Sequence, residues 1–450
     1  MPTPDLLAEL AWRGLLNQHT ERLAEHLAAG PVAAYAGFDP TAPSLHVGNL
    51  VPVMGLVHLQ RAGHRPIALV GGGTGMIGDP SGKSTERQLN TREVVEANAL
   101  AIHAQLERFL EFSGTAAAVM RNNAEWLMPL HAVDFLRDVG KHFTVNYMMQ
   151  KESVRSRLDG GISYTEFSYM LLQAYDYLEL HRRAGATLQI GGSDQWGNIT
   201  AGIELIRRTE GHEAHALTLP LVTTASGTKF GKTEAGAVWL DAERTSPYRM
   251  YQFWINADDR DVSHWLRFFT LLGRDEVETL AYETAEHPER RAAQQALAMD
   301  VTARVHGEEA ARTAQEVSGL LFGKGEVHAL SRRALEALAA EIPCVEIASG
   351  AGVVSAGAEF HAPSYAELSK TRQPVDLLDA LVRLGLAKSK GDARRTIQQG
   401  GVTVNGRRAQ SEAGGTAPVL SPDDALFGEF FLLKKGARSY GLIRAAQGRA

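Results

Sequence analysis

Cysteine is almost absent from this chain of 450 residues, because Cys344 is the single one. A lone cysteine excludes a disulfide framework and any Cys-rich metal site. No apolar stretch approaches the roughly 18 residues that a membrane-spanning helix requires. The first residues also lack the basic region that opens a secretory signal. These absences predict a soluble cytoplasmic protein with no membrane partner.

An excess of one charge is also lacking, since the formal net charge of the whole chain is only −6. The charge is unevenly distributed. Residues 375–450 hold twelve Lys and Arg against seven Asp and Glu, so the preceding part of the chain is acidic. A basic tail on an acidic body favours a polyanionic partner for the tail. Chance clustering on a solvated surface is the alternative interpretation.

Short apolar runs that alternate with helical patterns predict an α/β fold with a Rossmann-like parallel sheet. The predicted strands are residues 32–38, 65–70, 187–190 and 216–219. The predicted helices that alternate with them are residues 50–61, 91–112, 130–141 and 164–182. Ligands of such sheets bind at the carboxyl ends of the strands. Glycine-rich and polar clusters fall at those ends, at residues 37–49, 71–84 and 191–195.

The length predicts roughly three domains, and the pattern changes along the chain suggest where they divide. Residues 1–245 carry the α/β pattern, and residues 246–342 are compatible with helix throughout. Residues 343–374 contain three prolines and a Gly/Ala/Ser stretch, which predicts a linker. Residues 375–450 predict a small α+β domain, with a hairpin signal at Asn405-Gly406.

The stretch Leu45-His46-Val47-Gly48-Asn49-Leu50 lies between a predicted strand and a predicted helix. Backbone N–H groups at a helix start favour a phosphate. His46 and Asn49 are three residues apart, so both side chains can face one site. Gly48 leaves room for a flat ring against the backbone. A helix cap with an incidental histidine is the alternative interpretation.

Residues 78–85 contain Gly82-Lys83-Ser84, which resembles a phosphate-binding P-loop. The first glycine of the Walker A pattern is one residue late, however, and Pro80 removes a backbone donor. We therefore reject a P-loop NTPase. A loop that bears Lys83 and Arg87 remains, and a solvated turn is its alternative.

The stretch Gly227-Thr-Lys-Phe-Gly-Lys-Thr233 carries two lysines three residues apart, Lys229 and Lys232. Two cations in a loop of small residues suit a pyrophosphate group. Taken alone, such a stretch is more often an ordinary surface loop.

The predicted helix Tyr164–Arg182 carries Tyr169, Gln173 and Asp176 at spacings of four and three, so they share one face. Their neighbours are largely apolar, so these polar groups need partners. Either they bond to one another or they line a pocket for a polar ligand. We favour the pocket.

The order and content of these motifs together are specific. The stretches Leu45–Asn49 and Lys229–Thr233 resemble the two signature motifs of class I aminoacyl-tRNA synthetases. Other stretches resemble bacterial tyrosyl-tRNA synthetases, namely Tyr35–Thr41, Gly78–Lys83, Tyr169–Asp176 and Gly191–Asn198. The tail at residues 375–410 resembles an S4-type RNA-binding domain. The resemblance thus covers residues 35–250 and 375–410.

This resemblance implies a two-step reaction. L-tyrosine and ATP give tyrosyl-adenylate and pyrophosphate, and the tyrosyl group then passes to the 3′ end of tRNA(Tyr). The tyrosine carboxylate attacks as an anion, so no protein nucleophile is needed and catalysis is positioning plus charge stabilisation. Mg²⁺ is expected to arrive with ATP, without a dedicated protein metal site. The family also implies a homodimer.

The resemblance also assigns roles to residues of the α/β domain. The implied catalytic residues are Thr41, His46, Asn49, Lys83, Arg87, Lys229 and Lys232. Tyr35 and Asp176 would hold the phenol hydroxyl. The residues near the α-ammonium would be Asp79, Tyr169, Gln173 and Gln195. The implied ATP contacts are Gly37, Asp39, His46, Gly48, Gly192, Asp194, Leu221, Val222 and Lys232.

In the tail, the resemblance implies that basic side chains contact tRNA phosphates, which positions RNA without reading its bases. These are Arg383, Lys388, Lys390, Arg394, Arg395, Arg407 and Arg408.

The sequence departs from the family pattern at several positions. Asn49 replaces the second histidine of the first signature, and its amide can donate a hydrogen bond but cannot become cationic. Phe230, Gly231 and Thr233 replace the usual Met and two Ser of the second signature. Ala36 stands where relatives have a residue able to touch the ribose.

Three other functions fit parts of the sequence. A tryptophanyl-type synthetase would need a site for an indole N–H, and the Tyr35 and Asp176 pair matches a hydroxyl better. A small-molecule nucleotidyltransferase with the same first signature would not need the 375–450 tail. A non-catalytic RNA-binding protein would not need His46, Lys229, Lys232 and Asp176.

Overall fold

The computed structural model describes residues 5–81, 89–155, 157–158, 160–227, 230–233, 236–322, 325–348, 375–410 and 419–446. They belong to two compact units, Met1–His306 (unit 1) and Gly307–Ala450 (unit 2). Within these ranges, no helix combines the length and the apolar composition that crossing a bilayer requires.

Unit 1 contains a 6-stranded sheet of order β1-β6-β5-β2-β3-β4. Its strands are β1 (Gln18–His19), β2 (Ala33–Phe38), β3 (Arg65–Val70), β4 (Val119–Asn122), β5 (Ala186–Gly192) and β6 (His215–Leu219). Neighbouring strands from β6 to β4 are parallel, and β1 pairs antiparallel with β6. The predicted α/β class with a parallel sheet is therefore confirmed.

The strand order reverses between β2 and β5, because β3 and β4 lie on one side of β2 and the later strands on the other. The predictions missed β1 and β4. Both are edge strands, and every residue of β4 is only half-buried, so neither shows the apolar run of a central strand.

Helices connect the strands of unit 1, and more helices follow the sheet. They are α1 (Leu6–Arg13), α2 (Leu23–Ala28), α3 (Leu50–Arg61), α4 (Arg92–Leu106), α5 (Ala124–Leu127), α6 (Ala132–Asp138), α7 (Val145–Met149), α8 (Glu152–Arg155), α9 (Tyr164–Ala184), α10 (Trp196–Glu210), α11 (Pro247–Ile255), α12 (Asp259–Phe269), α13 (Arg274–Glu286) and α14 (Ala292–His306). A small hairpin, β7 (Lys232–Thr233) and β8 (Gly236–Ala237), precedes α11.

The long helix α9 is fixed at both ends and along its length. Ser163 caps its first turn by accepting a hydrogen bond from the backbone N–H of Glu166, and Gly185 ends it with a φ of 66°. In its middle, the Tyr177 hydroxyl donates to the carbonyl of His215 at 2.7 Å. A Cβ at Gly202 of α10 would lie 2.8 Å from the Tyr177 ring, so these two helices are in close contact. The side chains on α9 therefore have fixed positions relative to the sheet.

Unit 2 combines two helices with a 5-stranded sheet and two further helices. Its elements are α15 (Glu308–Leu321), α16 (Arg332–Ala339), β9 (Cys344–Ala348), β10 (Val375–Asp376), α17 (Leu377–Arg383), α18 (Lys390–Gln398), β11 (Val402–Val404), β12 (Arg407–Arg408), β13 (Val419–Leu420), β14 (Phe430–Lys435) and β15 (Ser439–Ala446). The sheet order is β12-β11-β14-β15-β9. Asn405 and Gly406 have φ angles of 48° and 80°, as the hairpin signal between β11 and β12 requires.

These units group the residues differently from the four predicted segments. Helices of the segment 246–342 occur in both units, because a helical periodicity does not reveal which body a helix packs against. The predicted linker begins with β9, which pairs in parallel with β15 of the sheet. Because Pro343 comes just before β9, the five residues of this strand were predicted as part of the linker.

His58 of α3 is buried among cations. Its side chain is 3% exposed, and its Nε2 atom has no hydrogen-bond partner among the described residues. Burial lowers its pKa to about 3, and the nearby charges of Arg13, Arg61 and Arg304 act in the same direction. This histidine is therefore neutral in the folded protein at neutral pH.

Replacing His58 with leucine is expected to make stability less dependent on pH. The unfolded histidine titrates near 6.5 and the folded one near 3, so stability falls as the pH drops below 6.5. Between pH 7.5 and pH 5 this group accounts for about 2 kcal/mol. Unfolding temperatures of both proteins across this range measure the effect. His131→Leu is the control, because His131 is exposed, and an identical pH slope for all three proteins would contradict the assignment.

Candidate active site

A cavity of about 730 Å³ lies at the carboxyl ends of β2 and β5, where the strand order reverses. The predicted small-molecule site residues that line it are Tyr35, Gly37, Asp39, Thr41, His46, Gly48, Asn49, Asp79, Tyr169, Gln173, Asp176, Gly192, Asp194, Gln195, Leu221 and Val222. Lys83, Arg87 and Lys229 lie outside the described residues. Lys232 begins β7, and only its backbone is described.

Asp176 of α9 lies at the inner end of the cavity, with a side chain that is 2% exposed. The Asn123 amide donates to one carboxylate oxygen at 2.8 Å, and the Trp126 indole N–H donates to the other at 2.7 Å. Burial raises the pKa of Asp176 to about 8, although both hydrogen bonds oppose the rise. The two neutral donors thus fix the position of the Asp176 carboxyl group, whose oxygens act as acceptors.

Two buried polar atoms beside Asp176 have no partner among the described residues. They are the hydroxyl of Tyr35 and Oε1 of Gln189, and both residues line the cavity. Tyr35 and Gln189 are register partners on neighbouring strands, so they lie side by side. Burial, followed by the charge of Asp176, raises the pKa of Tyr35 well above its ordinary value, so the phenol remains a donor. A ligand hydroxyl here would meet both a donor and an acceptor.

Asp39 follows β2 and joins α9 to the loop after β3. Its two carboxylate oxygens accept hydrogen bonds from the Tyr169 hydroxyl at 2.7 Å and from the Thr74 hydroxyl at 2.6 Å. The Asn123 amide also donates to the Thr74 hydroxyl at 2.9 Å. The carboxyl groups of Asp39 and Asp176 are therefore linked through Asn123 and Thr74 in one network.

A chain of amides forms another wall of the cavity. Gln195 donates to Asp79 at 2.5 Å and accepts a hydrogen bond from Gln173 at 3.2 Å. The Asn198 amide donates to the carbonyl oxygen of Gln173 at 3.0 Å. Asp79 is the single formal charge of this chain, so the wall suits an ammonium group.

His46 caps the short helix Val47–Asn49 in a defined tautomer. Its Nδ1 accepts a hydrogen bond from the Gly48 backbone at 3.1 Å, so the proton of the neutral ring is on Nε2. The Asn49 side-chain oxygen accepts from the His46 backbone at 3.0 Å, which leaves the amide as its donor group. A Cβ at Gly48 would lie 2.9 Å from the His46 ring, so a side chain there would displace it.

The opposite part of the cavity is open and less polar. A Cβ at Gly37 would have no atom within 4 Å, whereas one at Gly192 would lie 2.5 Å from the Asp194 carboxylate. Leu221 is 59% exposed and lines the cavity beside Val222. A flat ring can lie against the backbone here, with a carboxylate beside it.

The sequence predictions missed five polar residues of this site, namely Thr74, Asn123, Trp126, Gln189 and Asn198. Asn123 and Trp126 follow the unpredicted strand β4, so nothing in the sequence placed them next to α9. Gln189 offered a signal, because it is a polar residue within a predicted buried strand. Asn198 ends the recognised motif Gly191–Asn198, and Thr74 lies within the cluster 71–84, but neither was given a role.

The seven basic residues predicted for RNA binding lie in unit 2, and all are exposed. They occur on α17, α18 and β12 and in the intervening turns. The Lys390 ammonium lies 3.3 Å from an Asp376 oxygen and 3.2 Å from an Asp379 oxygen. The charge of Lys390 is therefore partly neutralised within the unit, so this lysine is less available to RNA phosphates.

The chain matches two protein-family models. Residues 27–323 match the family of class I tRNA synthetases (W and Y), and residues 359–443 match the tyrosine–tRNA ligase SYY-like C-terminal domain. The tyrosine–tRNA ligase of Bacillus caldotenax is 52% identical over 446 residues, which cover 98% of this chain and 100% of the relative. That of Anaeromyxobacter dehalogenans is 51% identical, with 98% of this chain and 99% of the relative covered.

Solved structures agree with these matches. A C-terminally truncated mitochondrial tyrosyl-tRNA synthetase of Aspergillus nidulans is 30% identical, with a TM-score of 0.65 over 71% of this chain and 94% of its own. A tryptophanyl-tRNA synthetase of Encephalitozoon cuniculi is 14% identical with a TM-score of 0.50, over 68% of this chain and 87% of its own, so it shares the fold alone. The chain therefore belongs to the class I tRNA synthetases, and within them to the tyrosine–tRNA ligases.

Proposed function

We propose that the cavity binds L-tyrosine and ATP end to end and forms tyrosyl-adenylate and pyrophosphate. The tyrosyl group then passes to the 3′ end of tRNA(Tyr), in the cytoplasm, where that RNA is used. The observation that carries this assignment is the pair at the inner end of the cavity. Asp176 offers a fixed acceptor, and the Tyr35 hydroxyl beside it has no partner among the described residues.

In this proposal the phenol hydroxyl of the substrate donates to Asp176 and accepts from Tyr35. A phenylalanine ring would leave the buried Tyr35 hydroxyl without a partner and Asp176 without the hydrogen bond of the substrate, which costs free energy of desolvation. The α-ammonium group lies towards Asp79, which accepts a hydrogen bond from Gln195, and Gln173 in turn donates to Gln195. Tyr169 also faces that end, where its hydroxyl is already oriented by Asp39.

ATP occupies the open part of the cavity. The adenine ring lies against Gly37, Gly48, Leu221 and Val222, and the ribose meets Asp194, Gly192 and Asp39. The Nε2–H of His46 donates to the phosphates as negative charge develops, with Thr41 and Asn49 as further donors. The cationic side chains proposed to contact the pyrophosphate group are Lys83, Arg87, Lys229 and Lys232. In this proposal Mg²⁺ enters with ATP, bound to its phosphates.

Asp176→Asn is expected to weaken tyrosine binding by about 10- to 100-fold, because an amide NH2 group replaces one of the two acceptor oxygens next to the phenol hydroxyl. The affinity for ATP should change less than twofold. Asp194→Asn is the reciprocal variant and should raise the KM for ATP while sparing tyrosine. Equilibrium binding of tyrosine and the KM for ATP in pyrophosphate exchange measure this split. An equal loss of both substrates in Asp176→Asn would contradict the assigned role.

Unit 2 is the proposed RNA-binding part, on the evidence of its exposed basic residues and its match to the ligase C-terminal domain. The double variant Arg407→Ala and Arg408→Ala should raise the KM for tRNA and leave pyrophosphate exchange unchanged. The slope of log affinity against log salt concentration should fall by about 2, since two phosphate contacts are lost. Lys390→Ala should have a smaller effect, because Asp376 and Asp379 already hold that ammonium. Unchanged charging by the double variant would refute this placement.

We also propose that the chain forms a homodimer through the surface around α6. This helix has no buried residue, although it carries Val133 and Leu136, which are 75% and 53% exposed. Val145 and Tyr164, in the following helices, are 60% and 71% exposed. Apolar side chains concentrated in one stretch of surface are typical of an interface between protein chains.

Leu136→Lys combined with Val145→Lys is expected to give a monomer, because two charges would be buried without partners in the interface. Tyr282→Lys is the control, since Tyr282 is 65% exposed on α13 and outside this surface. Light scattering after size-exclusion chromatography should give twice the chain mass of 48.8 kDa for the parent and the control. A double-lysine variant that retains the dimer mass would overturn the proposal.

A further inference from the structure

Helix α12 contacts the chain at two separate points, one at Ala225, just before the second signature, and one at Phe230, within it. The backbone N–H of Ala225 donates to both carboxylate oxygens of Asp261, at 2.9 and 3.1 Å. Five residues later, the ring of Phe230 packs against Trp265 and Phe269 of the same helix. In the sequence, Lys229 lies between these two points and Lys232 follows the second one.

The second contact is an aromatic cluster around Phe230, whose side chain is only 7% exposed. Its ring is stacked on Phe269, with centroids 5.2 Å apart and an interplanar angle of 8°. Trp265 meets it edge-on at 5.1 Å. Phe253 and Trp254 of α11 complete the cluster at 5.7 and 5.9 Å. A ring enclosed by four others has little freedom to change position.

The first contact places a largely buried carboxylate on a backbone amide. Asp261 is 9% exposed and lies in the first turn of α12. Burying a carboxylate is unfavourable unless it is hydrogen-bonded. The shared hydrogen bond from the Ala225 N–H to both oxygens of Asp261 fixes the position of the main chain just before the second signature.

Helix α12 is itself held at its other end by α1. The Arg13 guanidinium, 2% exposed, donates to the carbonyls of Arg267, Thr270 and Leu272 at 2.9 to 3.0 Å. These carbonyls belong to the end of α12 and the turn after it, where no intrahelical donors remain. The helix therefore offers a fixed support to the signature segment.

The residue after Phe230 also contacts the first signature. Gly231 follows Phe230 with a φ of 76°, and a Cβ there would lie 2.8 Å from the Val47 side chain. Val238 N–H donates to the Gly231 carbonyl, and Val47 N–H donates to the Val238 carbonyl. The residue next to Phe230 thus lies against the residue next to His46.

We propose that Phe230 and Asp261 are positioning residues for adenylate formation, and that α12 is the support on which they hold the lysine-bearing signature. The inference rests on the proposed role of Lys229 and Lys232 at the pyrophosphate. Phe230 lines the cavity but packs its ring into the aromatic cluster of α11 and α12, and Asp261 bonds to the Ala225 backbone. They act by fixing where the main chain enters and leaves the motif, opposite His46. Small displacements of groups that stabilise developing charge lower the rate strongly.

Phe230→Leu tests the aromatic contact, with Phe268→Leu as the matched control. Phe268 lies on the same helix, is 1% exposed, and packs against His264 and Phe269 but not against Phe230. Phe230→Leu should reduce the rate constant of adenylate formation by about 10- to 100-fold, with the dissociation constant of tyrosine within twofold. Phe268→Leu should lower the unfolding temperature comparably and keep that rate constant within twofold. Equal rate losses in both variants would overturn the proposal.

Asp261→Ala and Asp261→Asn test the first contact, between Asp261 and Ala225, without disturbing the aromatic cluster, should Phe230→Leu fail to fold. Asparagine retains an oxygen that accepts from Ala225, whereas alanine does not. The rate constant of adenylate formation should therefore be largely kept in Asp261→Asn and fall about tenfold in Asp261→Ala. Equal rates in both variants would overturn the role of Asp261. A parent protein without tyrosine-dependent pyrophosphate exchange would instead refute the proposed function.

Discussion

A buried carboxyl group held by neutral donors is the constraint on which the rest of unit 1 depends. Asp176 is only 2% exposed, and its hydrogen bonds among the described residues come from the Asn123 amide and the Trp126 indole. Each polar atom of Asn123 is used, because its oxygen also accepts from the Gly73 backbone and its nitrogen also donates to Thr74. Displacing Asp176 would therefore leave several buried groups unpaired.

This constraint explains how three separate stretches of chain build one pocket. Helix α9 carries Asp176, the end of β4 leads into Asn123, and the loop after β3 supplies Thr74. Their network ends at Asp39, which follows β2. The pocket is thus ordered before any ligand enters, which is the condition for strong discrimination between substrates that differ by one hydroxyl.

The sequence was sufficient for the elements with a clear period and for the motifs beside them. The central strands are apolar runs, and the spacing of Tyr169, Gln173 and Asp176 on one helical face predicted a pocket that the cavity lining matches. Asn123 and Trp126 were not predicted as site residues, because they are 53 and 50 residues from Asp176 in the sequence and follow a half-buried edge strand. Phe230 was noticed as a departure from the family pattern, but its four ring partners come from helices whose packing no periodicity specifies.

The central claim is that the inner end of the cavity is built to recognise a phenol hydroxyl. The most direct measurement is amino-acid-dependent ATP–pyrophosphate exchange with each of the twenty amino acids. The account predicts exchange with tyrosine and none above background with phenylalanine or tryptophan. Exchange with phenylalanine at a rate close to that of tyrosine, or with tryptophan alone, would contradict it.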